Sequence, residues 1–154
     1  MQATHKAYIS GFLDADGSIY VRLKPNDSYK YGFQIAPSIV FFQSKKNESV
    51  LKYIINLAQV GYIHNRKDGI VELTISDTKG LLTIISLTKP YIVLKQKQIE
   101  LLEVILRTKQ NISSSKDFLQ LAKLIDKFET LNYSQNRKIT SKNVAAYIKR
   151  NKLI

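Results

Sequence analysis

The chain has 154 residues, 44% of them hydrophobic, and its 24 lysines and arginines outnumber its 12 acidic residues to give a formal net charge of +12. This length fits one domain, residues 1–154, and such a charge favours a polyanionic partner such as nucleic acid. The absence of cysteine excludes disulfides, thiolate nucleophiles and zinc–thiolate sites, and no apolar run approaches the ~20 residues that a membrane helix needs.

The first part of the chain predicts a helix followed by two strands. Residues 4–14 have the pattern of a short helix, and Gly17 occupies the place of a glycine that ends one. Apolar and polar side chains alternate over 18–24, which is typical of a half-buried strand. Turn-forming residues separate it from a second strand over 31–42, in which Pro37 requires a bulge or a locally unpaired edge.

The rest of the chain predicts a helix, a hairpin and further helices. The helix covers 48–58, and the pair Asp68-Gly69 is a strong turn signal between strands over 60–66 and 70–76. Asp77 is placed to cap the next helix. Helices are then predicted over 77–87, 95–108 and 115–131 and from 141 onwards, with a basic polar link over 133–139.

These elements make an α+β fold of the order αββαββα, in which a four-stranded antiparallel sheet packs under helices. Residues 4–131 form the core, and 132–154 form a C-terminal link and helix. Arginine, lysine, glutamine, tyrosine and threonine alternate onto the sheet face away from the helices. Such a face either is simply solvated or lies in a DNA groove. The uneven charge, 15 basic against 5 acidic side chains over 78–154, adds weight to a polyanionic partner.

The most informative segment is residues 9–17, Ile-Ser-Gly-Phe-Leu-Asp-Ala-Asp-Gly. It resembles the LAGLIDADG motif. Five positions match by identity: Gly11, Asp14, Ala15, Asp16 and Gly17. The other four residues are conservative replacements. Five fixed matches arise by chance about once in 10⁶ start positions when each residue type has ~7% abundance. The chain therefore resembles single-motif LAGLIDADG homing endonucleases, and the resemblance implies a saddle-shaped sheet and a homodimer. Further segments look like the members encoded in chloroplast introns: Lys24-Pro25-Asn26, Ser28-Tyr29-Lys30, Val60-Gly61-Tyr62 and Leu94-Lys95-Gln96-Lys97-Gln98.

Small residues recur every fourth position of the first predicted helix, at Ala7, Gly11 and Ala15. They share one helix face, where two helices can approach with their backbones nearly in contact. Glycine inside a helix costs about 1 kcal/mol relative to alanine, so a packing contact should offset it. That contact is either within the fold or between two subunits. The resemblance implies the subunit contact, with Phe12 beside the three small residues.

The aspartates Asp14 and Asp16 have different expected roles. They are two positions apart and cannot share a helix face. Asp16 ends the helix, where the dipole repels an anion by ~0.3–1 kcal/mol and a bound cation would reverse that penalty. Asp16 is thus either a plain turn residue or a metal ligand. The resemblance implies the ligand, helped by the Ala15 carbonyl, and a structural Asp14. Oxygen ligands of this kind favour Mg²⁺, with Mn²⁺ as a substitute.

The resemblance also implies residues around the scissile phosphate. Gln43 is similar to the glutamine that orders water there, and Lys95 to a basic residue beside the phosphate, although the sequence alone favours a solvated lysine at a helix start. Asn47 stands where related enzymes often have arginine, which leaves Lys45 or Lys46 as the second basic group. The implied reaction is metal-assisted hydrolysis of both strands of a long pseudo-palindromic DNA target.

DNA contacts are expected from the exposed sheet face, its turn and the C-terminal link. Arginine and lysine suit guanine edges, and glutamine and asparagine suit adenine. Arg137 and Lys138 in the link are expected to hold backbone phosphate. The candidate base or phosphate contacts are Arg22, Lys24, Asn26, Ser28, Tyr29, Gln34, Ser38, Tyr62, His64, Arg66, Glu72 and Thr74.

Two other functions also fit the sequence. One is an intron RNA maturase on the same fold, and the other is a DNA-binding protein that does not cleave and whose motif only joins two subunits. Magnesium-dependent cutting of duplex DNA separates the three. Neither a membrane nor a small-molecule substrate is expected. Lysine and isoleucine number 19 each, a bias that indicates AT-rich coding and an organelle, chloroplast or mitochondrion.

Overall fold

The computed structural model describes residues 1–133 and 136–153. Its four strands form one sheet in the order β1-β2-β4-β3, with β4 antiparallel to both β2 and β3. The predicted αββαββα order is confirmed. In chain order the elements are α1 (Ala3–Asp16), β1 (Gly17–Pro25), β2 (Phe33–Ser44), α2 (Glu48–Ala58), β3 (Tyr62–Asn65), β4 (Ile70–Ile75), α3 (Thr78–Thr88), α4 (Gln96–Lys109), α5 (Ser115–Asp126), α6 (Phe128–Leu131) and α7 (Ser141–Arg150).

The chain packs as two compact units. The first consists of Met1–Ile19 and Ser38–Ile99, and the second of Tyr20–Pro37 and Glu100–Ile154. Apolar side chains of α1, α2 and β4 form the core of the first unit, with Ile9, Leu13, Leu51, Ile54 and Leu73 all 0% exposed. In the second unit, α5 and α7 bury Leu121, Ile125 and Val144 to the same degree. None of the described helices is both long and apolar enough to cross a bilayer.

Helix α1 extends two residues beyond the predicted span and ends at the predicted glycine. Gly17 is its C-terminal cap, but its φ of −115° is extended and not left-handed. The glycine is needed for space, because a Cβ atom there would lie 2.6 Å from the carbonyl oxygen of Leu13. Any side chain would therefore collide with the last helical turn. This close approach lets the chain pass from α1 into β1 without a connecting loop.

Strand β2 contains the proline that was expected to disturb it. The ladder between β2 and β4 runs from the pair Ile39–Ile75 to the pair Ser44–Ile70. Pro37 precedes this ladder, so its missing N–H removes no bond to β4. The β4 side of the strand is thus unpaired at Pro37, as predicted, although β2 is an inner strand of the sheet.

The predicted hairpin turn is confirmed at Asp68-Gly69. Gly69 has a φ of +82°, which glycine adopts without a steric penalty. The Arg66 N–H donates to the Ile70 carbonyl at 2.9 Å. The Asp68 carboxylate accepts from the Ile70 N–H at 3.2 Å. The first strand of the hairpin is shorter than predicted and starts at Tyr62.

One predicted helix is wrong in its extent. The helix expected over 115–131 breaks at Lys127 into α5 and α6. The break follows Asp126, whose carboxylate accepts from the N–H of Ser141, at the start of α7, at 3.1 Å. The link that was expected over 133–139 is described at 133 and 136–139. Its residues 134 and 135, and residue 154 of the predicted C-terminal segment, lie outside the described residues.

Candidate functional site

The Asp14 carboxylate binds the backbone of the segment that leads into α4. One carboxylate oxygen accepts from the N–H groups of Val93 at 2.8 Å and Leu94 at 3.1 Å, and the other from that of Lys95 at 3.0 Å. Hydrogen bonds to a charged acceptor are roughly twice as strong as neutral ones. Asp14 therefore has the structural role expected of it, and it brings residues 93–95 to the end of α1.

Asp16 has the opposite environment. It is the last residue of α1 and is exposed, and among the residues that the structure describes no donor bonds to its carboxylate. The neighbouring Ala15 is exposed as well. Two free oxygens at a helix C-terminus fit a hard divalent cation. Within 1–133 and 136–153 no three His, Asp or Glu side chains cluster around a possible metal position.

Lys95 is buried, which corrects the solvated lysine that the sequence alone favours. The residue is 8% exposed, and its Nζ donates to the backbone carbonyl of Asp14. Burial lowers the pKa of this ammonium group, while the charges of Asp14 and Asp16 oppose the shift. A cationic group is thereby held in low-dielectric surroundings beside the two motif aspartates.

Gln43 and the residues after β2 form a second polar group. The Gln43 Oε1 accepts from the Ser44 N–H at 2.8 Å and from the Asn47 side chain at 3.4 Å. Lys45 is already bound, since its Nζ donates to Glu48 and, at 2.6 Å, to Asn65. Of the two lysines considered in place of Asn47, Lys46 is thus the one with an exposed, uncommitted ammonium group.

The small-residue face of α1 lies on the surface of the chain. Ala7, Gly11 and Ala15 are all exposed, and a Cβ atom added at Gly11 would meet nothing within 4 Å. The alternative of a tight contact within the fold is therefore wrong for Gly11. Phe12 differs from its neighbours, because it is half-buried and its ring lies 6.0 Å from that of Phe41. Only the outer part of the Phe12 ring is therefore available to a second subunit.

Two apolar residues beside this face were not predicted to be functional. Val93 is 84% and Leu94 60% exposed, and their backbone N–H groups are fixed by Asp14. The two side chains thus expose apolar surface at the end of α1, on a backbone that Asp14 holds in place. The only signal in the sequence was an apolar pair directly before a charged helix start.

In the second unit, β1, the turn after it and the start of β2 present the predicted DNA contacts. Arg22 and Lys24 are exposed, and Gln34 is half-buried. The Arg22 guanidinium lies 4.7 Å from the centre of the Tyr20 ring, a stacking contact that orients it. In the exposed turn, the Asn26 side chain accepts from the Ser28 N–H at 3.0 Å and hydroxyl at 2.7 Å, so Asn26 shapes the turn. Tyr29 next to it is 44% exposed.

In the first unit, the hairpin presents the other predicted contacts. Arg66 donates to Asp68 at 2.5 Å and to Glu72 at 3.2 Å, and these bonds raise its pKa, Asp68 contributing most. Glu72 was expected to contact DNA, but its carboxylate is held by Arg66 and serves to position that guanidinium. The remaining contacts are exposed or half-buried and open to a ligand: Tyr62, His64, Ser38 and Thr74.

The two basic residues of the C-terminal link point in different directions. Lys138 is exposed, as a phosphate contact requires. The Arg137 side chain is 14% exposed, and its Nη2 donates to the carbonyl of Val21 at 2.6 Å. The expected phosphate contact at Arg137 is therefore corrected, because its guanidinium is used inside the second unit.

Comparison with known proteins places the chain in a family. The profile of LAGLIDADG endonucleases matches residues 9–106. The chain is similar to DNA endonuclease I-CreI of Chlamydomonas reinhardtii, with 32% identity over 92% of this chain and 86% of that protein. It is similar to DNA endonuclease I-CvuI of Chlorella vulgaris, with 28% identity over 94% of this chain and 89% of that protein.

The fold agrees with solved structures. The structure of I-CvuI in complex with the I-CreI target, in the presence of Mg, matches with a TM-score of 0.94 and 27% identity, covering 98% of this chain and 96% of that one. A second complex of I-CvuI, with its own target and Ca, has the same TM-score of 0.94. With a family profile over residues 9–106 and a relative above 30% identity along most of its length, this chain belongs to the LAGLIDADG endonuclease family.

Proposed function

We propose that this protein is a site-specific homing endonuclease that hydrolyses both strands of a long pseudo-palindromic DNA target as a metal-dependent homodimer. The observation that carries the proposal is Asp16, a carboxylate without a donor among the described residues, exposed at the C-terminal end of α1, whose small-residue face is exposed as well. A twofold axis along that face brings Asp16 of two subunits together. Two such carboxylates at short range repel each other, and a cation bound between them would remove that repulsion.

The ion is a divalent cation, which we propose to be Mg²⁺, with Mn²⁺ as a substitute. Asp16 supplies a carboxylate and Ala15 a backbone carbonyl for it. Bound there, the ion would activate water and neutralise charge on the leaving oxygen. Lys95 contributes a buried positive charge beside the reacting phosphate. Gln43 offers an amide N–H₂ that can hold a water molecule, since its oxygen is already used by Ser44 and Asn47.

The subunit interface is proposed to consist of Ala7, Gly11, Ala15 and the exposed part of Phe12. Open space at Gly11 allows the backbones of two α1 helices to approach closely. Val93 and Leu94, held at the end of α1 by Asp14, extend the apolar surface at the edge of this face. Their burial in a dimer would explain why two large side chains stand in solvent in one chain.

Base recognition is proposed to be shared between the two groups of contacts. In the second unit, Arg22, Lys24 and Gln34 are the base-reading candidates, with Ser28 and Tyr29 from the turn. In the first unit, the main candidate is Arg66, which Glu72 holds in place. Lys138 supplies a phosphate contact. The lysine and isoleucine bias, 19 of each, supports an organellar origin.

Cleavage selection from a randomised duplex library tests this function directly. With Mg²⁺ the wild-type protein should enrich one pseudo-palindromic sequence cut in both strands, and Asp16→Asn should enrich none. If the protein binds duplex DNA tightly but never cuts it with Mg²⁺ or Mn²⁺, the non-cleaving DNA-binding function replaces this one. Preference for intron RNA over duplex DNA would favour the maturase.

A further inference from the structure

Arg137 connects the C-terminal link to the backbone of β1. Its Nη2 donates to the Val21 carbonyl at 2.6 Å, and its side chain is 14% exposed. Val21 itself is 0% exposed. The bond therefore joins residues 116 positions apart in the sequence, in the interior of the second unit.

Asp126 holds the other side of the guanidinium. Its Oδ1 lies 3.7 Å from the Arg137 Nε. The same carboxylate accepts from the Ser141 N–H through both oxygens, at 3.2 and 3.1 Å. One cation and one carboxylate thus join the end of α5, the link, the start of α7 and β1. The hydrogen bond to Val21 and the ion pair with Asp126 together fix the position of the Arg137 guanidinium.

Burying the Arg137 guanidinium costs free energy, which indicates that the residue has a structural role. The Arg137 Nε is buried and has no hydrogen-bond partner among the described residues. Burial lowers the pKa of the guanidinium, and the charges of Asp126 and Glu129 offset this only in part. An arginine needed only to attract phosphate would be more stable in solvent, as Lys138 is.

The bond to Val21 acts on the base-reading side chain that follows it. The Val21 carbonyl and the Arg22 N–H belong to one planar peptide group. Consecutive strand residues point to opposite faces, so Val21 is buried while Arg22 is exposed. A donor that fixes this carbonyl therefore fixes the orientation of the peptide plane between Val21 and Arg22, and with it the direction in which the Arg22 side chain points.

We propose that Arg137 is a positioning residue for base recognition: by fixing the peptide between Val21 and Arg22, it sets the direction in which β1 presents Arg22 to DNA. The inference rests on the proposed DNA-binding function. Arg137 acts through β1 and touches neither base nor phosphate, so its loss should alter which base is preferred and not how strongly phosphate is attracted.

The test compares two neighbouring variants, Arg137→Gln and Lys138→Gln. Binding to the selected target and to its single-position variants is measured without divalent metal, so that no cutting occurs, at several salt concentrations. Lys138→Gln should reduce the slope of log K against log salt by about 0.9 and leave base preference unchanged. Arg137→Gln should leave the slope unchanged and relax preference tenfold or more at the symmetric pair of positions that Arg22→Gln also affects. Positions affected by Arg66→Gln should keep their preference.

Two results would overturn the proposal. One is a slope reduced by about 0.9 in Arg137→Gln with preference intact, which would make Arg137 a phosphate contact. The other is an equal loss of preference at every position, which would indicate a general structural role. If Arg137→Gln does not fold, Arg137→Lys carries the test, because its ammonium keeps a donor for Val21 but not the two-sided contact. Wild-type protein that does not bind duplex DNA at all would instead refute the proposed function.

Discussion

At the scale of single residues, Asp14 and Asp16 are chemically identical and differ only in what surrounds them. Asp16→Asn should abolish Mg²⁺-dependent cleavage while leaving dimerisation and metal-free DNA binding intact. Since no described residue donates to Asp16, which ends a helix, removing its charge should leave the metal-free free energy of unfolding unchanged or raise it by ~0.3–1 kcal/mol. Cleavage assays and thermal unfolding on the same preparation check both parts.

Asp14→Asn is the matched control for this prediction. Its carboxylate accepts three backbone N–H groups, and a neutral amide oxygen replaces these bonds poorly. The free energy of unfolding should fall by about 1.5–3 kcal/mol, the value of a hydrogen bond to a charged group. A destabilised Asp16→Asn beside a stable Asp14→Asn would reverse the two assignments.

Lys95 predicts the pH dependence of cleavage on the alkaline side. Burial lowers its pKa below the ordinary value of 10.5, so the protonated ammonium is lost at a lower pH than in an exposed lysine. If that charge stabilises the reacting phosphate, the rate should fall as the pH rises through the lowered pKa. In Lys95→Arg, whose side chain stays protonated up to about pH 12, the fall should move to higher pH. Single-turnover rates between neutral and alkaline pH measure this.

A second variant is a control for steric effects of the arginine in Lys95→Arg. Lys95→Met keeps much of the length and removes the charge, so it should cleave slowly at all pH values and lose the titration assigned to Lys95. Identical alkaline profiles in wild type, Lys95→Arg and Lys95→Met would show that Lys95 does not control the rate.

At the scale of elements, α1 has an exposed glycine that nothing in its own chain requires. Since a Cβ atom at Gly11 meets nothing within 4 Å, Gly11→Leu should leave the isolated chain folded, and gain up to about 1 kcal/mol from helix propensity. In a dimer joined through α1, the same side chain would force the helices apart. Light scattering should find monomers, and cleavage should be lost.

Ser49→Leu on α2 is a suitable control for added apolar surface, because Ser49 is an exposed helical residue outside the proposed interface. It should stay dimeric and active. A Gly11→Leu protein that remains a dimer and cuts normally would show that the subunits meet elsewhere.

Element positions follow closely from the sequence where a local signal exists. The bounds of α2 agree at both ends, and Asp77 caps α3 through a bond to the Gly80 N–H at 2.7 Å, because helix caps and apolar periodicity are local properties. The break at Lys127 was missed because it depends on the bond between Asp126 and Ser141. Contacts between distant parts of the chain leave no local pattern, so a continuous helical periodicity is misleading there.

The site residues also divide into those with a local sequence signal and those that depend on contacts with distant parts of the chain. The motif indicated Asp16 as the candidate metal ligand and Asp14 as structural, and the three backbone bonds of Asp14 agree with its structural role. The burial of Lys95 and the inward direction of Arg137 could not be predicted, since each depends on a backbone carbonyl supplied by another element. The exposure of Val93 and Leu94 was likewise missed, because an apolar pair in the sequence is usually buried.

At the scale of the whole molecule, the net charge of +12 predicts DNA binding that depends strongly on salt. Each phosphate neutralised should contribute about −0.9 to the slope of log K against log salt, and six to ten contacts would weaken binding ~10³–10⁵-fold between about 50 and 200 mM salt. Fluorescence anisotropy without divalent metal measures this slope. A slope close to zero would exclude phosphate contacts as the main source of affinity.

The turn between β1 and β2 has a consequence for how such a protein evolves. Its ends are joined by the bond from the Asn26 N–H to the Gly32 carbonyl at 2.9 Å. Gly32, with a φ of +76°, lies against the Tyr147 ring and has no room for a side chain. Between these fixed points, residues 27–30 are exposed, and substitutions there should change stability by no more than about ±0.5 kcal/mol. Mutations at the tip are therefore constrained by DNA recognition and not by folding, so that a lineage can follow a drifting target site or acquire a new one while its scaffold persists.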